Sequence, residues 1–148
     1  MGEVEMKPTI FLRIAAIITL LYFAGHTSGI PWTPDTSPEA VPVIDAMKSH
    51  SFDVIGSMRT YWDFYFGFGV TISLFLLVQA VVLWQLGSLA KTDALRVRGL
   101  VASFLVLFII NTVLAWKYFF VIPLVTSAAI TVCLALAFIT AGRRKVTQ

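Results

Sequence analysis

Apolar residues run almost unbroken through four stretches, about Thr9 to Gly25, Tyr61 to Leu86, Leu100 to Trp116 and Ile122 to Thr140. A helix needs about 17–25 such residues to cross a bilayer's hydrocarbon core, so each stretch predicts a transmembrane helix. Polar residues collect between them. The second and third stretches are joined by "GSLAKTDALRVRG" (Gly87 to Gly99), where Thr92 is the predicted N-cap and Asp93 sits in the first turn. The third helix then starts outside the lipid. The third and fourth stretches are joined only by "KYFFVI" (Lys117 to Ile122), and Pro123 falls where a first helical turn tolerates it. This predicts a tight antiparallel hairpin of helices. The expected fold is all-α: a polytopic four-transmembrane-helix bundle forming a single transmembrane domain over residues 1–148.

The one long connection is the loop 26–60. Its first part, "GHTSGIPWTPDTSPEAVP", is rich in Gly, Pro, Ser and Thr and predicts turns. In "VPVIDAMKSHSFDVIGSM", Val43, Ile44, Met47, Val54, Ile55 and Met58 recur near helical spacing, with Asp45, Lys48 and Ser49 on the other side. One or two short amphipathic helices are expected there. They either rest on lipid or form a lid over a cavity, because amphipathicity does not distinguish the two greasy partners.

Composition supports the membrane reading and charge orients it. With 58% hydrophobic and 13% charged residues, the chain carries too little charge to coat a soluble domain of its size. With both termini inside, the cytoplasmic side holds eight cations (Lys7, Arg13, Lys91, Arg96, Arg98, Arg143, Arg144 and Lys145) and the outer side three (Lys48, Arg59 and Lys117). That is the positive-inside pattern, and it predicts an N-in/C-in protein of a bacterial inner membrane, although an endoplasmic reticulum membrane obeys the same rule. Glu3 and Glu5, and the lack of an A-x-A site after "LYFAG", mark the first stretch as a retained helix and not a cleaved signal. No basic stripe with interleaved aromatics indicates nucleic acid. The single cysteine, Cys133, excludes an intrachain disulfide and reads as a small buried hydrophobe. No cofactor is implied.

Candidate chemistry gathers on the outer side, which holds 14 of the 20 Phe, Trp and Tyr residues. An aromatic belt explains part of that excess. Arg59 and Asp63, at i and i+4 where the second helix begins, are expected to share a helix face, with Gly67 one turn below. They either clamp the loop or anchor a ligand. Asn111 is a deeply placed amide of the third helix, about 8 Å below Trp116 by helical rise. It serves either as interhelical glue or as the floor of a cavity, and Gln79 has the same two readings. His26 ends the first helix and His50 lies beside the amphipathic segment. No HExxH or other metal spacing accompanies them, so helix capping and loop hydrogen bonding compete with acid–base roles. In the fourth helix Ser127, Thr131 and Ala135, and likewise Ala129, Cys133 and Ala137, form small-residue packing faces. Together these residues suggest an outward pocket for a small amphipathic or lipid-like molecule. Arg59, Asp63, His26 and His50 would supply polar contacts, Asn111 the floor, and Tyr61, Trp62, Tyr65 and Trp116 the walls.

"LYFAGHTSGIPW" and "YWDFYFGFGV" resemble, in layout, the EXPERA proteins, a group of sterol isomerases and sterol-binding membrane proteins with a polar pocket inside the bundle. That resemblance implies a lipid- or sterol-like isomerase or modifying enzyme, with Asp63 or His26 moving a proton. Where those proteins place carboxylates deeper in the second helix, this chain has Val70, Thr71 and Ile72. The chain also resembles uncharacterised small four-helix bacterial membrane proteins. A third reading is a non-catalytic subunit or stabiliser of a larger membrane complex, built on the fourth helix's small face. The expected partners are membrane lipids, a small hydrophobic ligand, and a second copy or another membrane protein.

Overall fold

A computed structural model describes residues 7–29 and 34–142. Trp32, Glu3, Glu5 and the terminal cations Arg143, Arg144 and Lys145 lie outside the described residues. The described residues form five helices and one hairpin: α1 (Pro8–Gly29), α2 (Ala40–Ser49), β1 (Ser51–Val54), β2 (Ser57–Thr60), α3 (Tyr61–Leu89), α4 (Ala94–Tyr118) and α5 (Val121–Ala141). Four of these helices, α1, α3, α4 and α5, are long and apolar enough to cross a membrane. The chain divides into two compact units, Met1–Tyr22 with Leu77–Gln148, and Phe23–Leu76.

The first unit is a helical bundle whose core joins Phe11, Leu12, Ala15 and Ala16 of α1, Leu83 and Leu86 of α3, Val97, Val101 and Phe108 of α4, and Ile130, Leu134 and Ala137 of α5. The opposite faces are also apolar. On α1 the exposed set is Ile10, Ile14, Ile17, Leu20 and Leu21, and on α4 it includes Val106, Ile109, Ile110 and Val113. Helices that are apolar all round suit a lipid environment. The buried face of α5 runs Pro123, Ser127, Ile130, Leu134, Ala137 and Ala141, alternating steps of four and three. The four-residue stripes expected from sequence form the seam only in part: Ser127 and Ala137 are buried, whereas Ala129, Thr131, Cys133 and Ala135 are half-buried. At 3.6 residues per turn a four-residue step overshoots one turn, so such a stripe rotates off the contact within a few turns.

Helix ends follow local chemistry. The cap of α4 is Asp93, whose carboxylate accepts from the Arg96 backbone N–H at 3.0 Å. Thr92, the expected cap, instead donates its hydroxyl to the Leu89 carbonyl at 3.0 Å. The α4–α5 connection is only Phe119 and Phe120, with Pro123 inside the first turn of α5.

In the second unit the long connection is one helix and one hairpin. Ser37 starts α2 by accepting from the Ala40 N–H through its carbonyl (3.0 Å) and its hydroxyl (3.3 Å). The residues Val54, Ile55 and Met58, expected on a second helical turn, instead belong to an antiparallel hairpin that pairs Phe52 with Arg59 and Val54 with Ser57. Its two-residue turn places Ile55 at φ 51° and Gly56 at φ 80°, the positive pair a tight hairpin needs. Glycine adopts that geometry freely. Isoleucine does so at a cost of about 1–2 kcal/mol, and Ile55 is fully exposed at the tip.

Candidate functional site

The first turn of α3 is the organising element of the second unit. Thr60 and Asp63 form a reciprocal capping box there. The Asp63 carboxylate accepts from the Thr60 N–H at 2.8 Å, and the Thr60 hydroxyl accepts from the Asp63 N–H at 3.1 Å. This closes β2 directly into a helix, so Arg59 is the penultimate residue of a strand. The expected shared helix face for Arg59 and Asp63 therefore does not exist. Arg59 turns its Nη1 to the Met58 carbonyl at 2.7 Å, while Asp63 is occupied by its own helix terminus.

From this start α3 presents two aromatic faces. Tyr61, Phe64 and Phe68 lie along one, and Phe52 of the hairpin packs against its start, 4.8 Å from Tyr61 and 5.9 Å from Phe64, ring centre to ring centre. His50, at the C-terminal cap of α2, stacks on Tyr61 at 5.8 Å. Trp62 and Tyr65, 5.3 Å apart, form the other face. There they meet the apolar side of α2 across an open groove of about 350 Å³, lined by Pro34, Asp35, Ala40, Val43, Ile44 and Met47 in addition to the two aromatics. Lys48 lies over the Trp62 ring at 4.7 Å.

Deeper along α3, Ser73 is buried and gathers two polar residues from the end of α1. Its Oγ lies 3.0 Å from His26 Nδ1 and accepts from the Thr27 hydroxyl at 2.9 Å. With Thr27 donating, the Ser73 proton is free to point at Nδ1, which fits the His26 tautomer protonated on Nε2. This contact explains why α1 continues through His26 to Gly29 beyond the expected end at Gly25.

Asn111 and Trp116 belong to the other unit. Asn111 donates its Nδ2 to Ser127 at 2.8 Å, tying α4 to α5. Next to it Thr112 and Thr131 are 3.2 Å apart, and Thr131 donates to the Ser127 carbonyl at 2.9 Å. Trp116 is three-quarters exposed near the end of α4. Gln79 is half-buried.

Of the residues singled out from sequence, Trp62 and Tyr65 line the groove, while Tyr61 and His50 make a separate stack under the hairpin. The walls that sequence reasoning did not assign to a pocket come from α2. Their only signal was the Val43, Ile44 and Met47 spacing, which left lipid and protein open as partners. Ser73 gave no signal, since a lone serine in an apolar run is common. Among the described residues no three His, Cys, Asp or Glu side chains converge where a metal could sit. The chain matches no family model, no curated protein and no solved structure.

Proposed function

We propose that this is an N-in/C-in integral membrane protein that holds a small amphipathic or lipid-like molecule in the groove between α2 and α3. The observation that carries the reading is the groove itself, walled by Val43, Ile44 and Met47 against Trp62 and Tyr65. About 350 Å³ is at the lower end of the ~300–1,000 Å³ typical of small-molecule sites. An apolar body would lie against these walls, and a polar head would meet Asp35 and Lys48 at the edge. Arg59, Asp63 and His50 are given structural roles in this reading, and Asn111 an interhelical one.

Native mass spectrometry of gently solubilised protein tests it. Wild type is expected to retain a defined small species that organic extraction releases. Ile44→Asp, which puts a charge on the groove wall, is expected to lose that species with little change in thermal stability, while Asp63→Asn keeps it. An empty wild type, or retention undiminished by Ile44→Asp, would sink the proposal.

The orientation rests on the eight-to-three distribution of cations. In a Cys133→Ser background, Ser37→Cys is expected to react with an impermeant maleimide in intact cells. Lys91→Cys should react only after permeabilisation. The reverse pattern would invert the topology.

A further inference from the structure

The end of the bundle where α1 and α4 begin and α3 and α5 finish carries a second feature, unrelated to the groove. Its described charges are Lys7, Arg13, Lys91, Arg96 and Arg98 against one acid, Asp93. Asp93 already accepts from the Arg96 N–H as the cap of α4. Two of the cations are built into helix seams. Arg13 lies 3.5 Å over the Trp84 ring, donates Nη2 to the Ser88 hydroxyl at 2.8 Å, and passes against Gly87, where a Cβ would stand 3.3 Å from its Nε. Arg98 lies 4.2 Å over the Phe138 ring and against Gly142, where a Cβ would stand 3.1 Å from its guanidinium carbon. Its Nε is buried with no hydrogen-bond partner among the described residues.

An aromatic ring attracts a guanidinium through its quadrupole but brings no opposite charge. Each of these arginines is therefore held in a fixed plane with its charge unmatched among the described residues. Glycine on the neighbouring helix (Gly87) or just past its end (Gly142) leaves room for that plane, and a guanidinium so seated presents its remaining donors as a fork, the geometry that suits phosphate oxygens. Trp84 sets the depth, because tryptophan prefers the headgroup level. At that depth the abundant anion is the phosphate of a lipid headgroup, and basic pockets between helix ends are a recurring mode of recognising it.

We propose that this end of the bundle is a binding site for anionic phospholipid headgroups. Arg13 and Arg98 are its oriented anchors, and Lys91 and Arg96 its outer attracting charges. The site is independent of the α2–α3 groove and of whatever that groove holds.

The test is native mass spectrometry of the solubilised full chain, titrated with equal amounts of phosphatidylglycerol and phosphatidylcholine. Wild type is expected to retain the anionic lipid in clear preference. Lys91→Gln/Arg96→Gln removes two exposed charges that hold no ring seat, and is expected to cut that preference by about tenfold or more, at roughly fivefold per cation. Arg98→Gln is expected to cut it by about fivefold alone. Ile44→Asp, on the groove, should leave it unchanged. Equal retention of the two lipids, or a preference that the double variant leaves intact, would overturn the proposal. Should Arg98→Gln fail to fold, the double variant decides.

Discussion

Replacing Ser127 by leucine is expected to destabilise the protein by about 3 kcal/mol or more, against about 1 kcal/mol or less for Ser127→Ala. Ser127 is completely buried in the α4–α5 seam. Its Oγ accepts from Asn111 Nδ2 at 2.8 Å, and its carbonyl accepts from Thr131 at 2.9 Å. Leucine would push extra methyl groups into a contact that has room only for a hydroxyl, which costs about 1–3 kcal/mol by itself. It would also leave the Asn111 amide facing hydrocarbon without a partner, a further cost of about 1–3 kcal/mol. Alanine takes the same bond from Asn111 but opens a small gap in which the amide can turn to another partner, so its loss stays near the average of about 0.6 kcal/mol for an interhelical hydrogen bond in a bilayer. Unfolding by added SDS in mixed micelles reads both variants. Equal losses for the two would mean that Asn111 finds another partner and that the seam is loose.

The four long helices were legible because lipid requires something sequence displays openly: apolar side chains all round a helix and every backbone group satisfied within it. Their ends were less legible, because each depends on a particular partner. The extension of α1 past Gly25 depends on Ser73 receiving His26 and Thr27, a meeting of residues 46 and 47 positions apart. The start of α4 depends on which of two adjacent residues, Thr92 or Asp93, turns its oxygen inward, and sequence ranks them nearly equally. The hairpin was hidden for a different reason. Its turn is Ile55–Gly56, and isoleucine at a positive φ is a poor turn signal. With the turn unseen, Val54, Ile55 and Met58 fell onto a helical period, and Arg59 with Asp63 onto one helix face.

That shift in register changes the candidate site as well. On a continuous helix the pair would project side by side, whereas the strand-to-helix junction turns Asp63 back onto Thr60 and leaves Arg59 on its own strand. Of the aromatics that crowd the start of α3, Trp62 and Tyr65 line the groove. Which aromatic faces which element was not readable. Tyr61 and Trp62 are adjacent in the chain, yet α3 sends one under the hairpin and the other toward α2.

Phe108→Ala is the second large effect, at about 2–3 kcal/mol, and its comparison with Ile110→Ala also tests the lipid reading. Phe108 is essentially buried in the bundle core, whereas Ile110, two residues along α4, is more than half exposed. In water both truncations would lose apolar transfer energy. In a bilayer that term nearly vanishes, because lipid tails are as apolar as the residues they replace. What remains is the cavity, on the order of 100 Å³ at about 24 cal/mol per Å³ for the phenyl group. Its physical source is dispersion attraction, which the side chains lining an empty void no longer receive from that direction. Ile110 leaves no cavity, since lipid fills the space, so its loss should stay below about 0.5 kcal/mol. Unfolding by SDS in mixed micelles gives both numbers. A large effect at Ile110 would place protein, from a second copy or another subunit, against that face of α4.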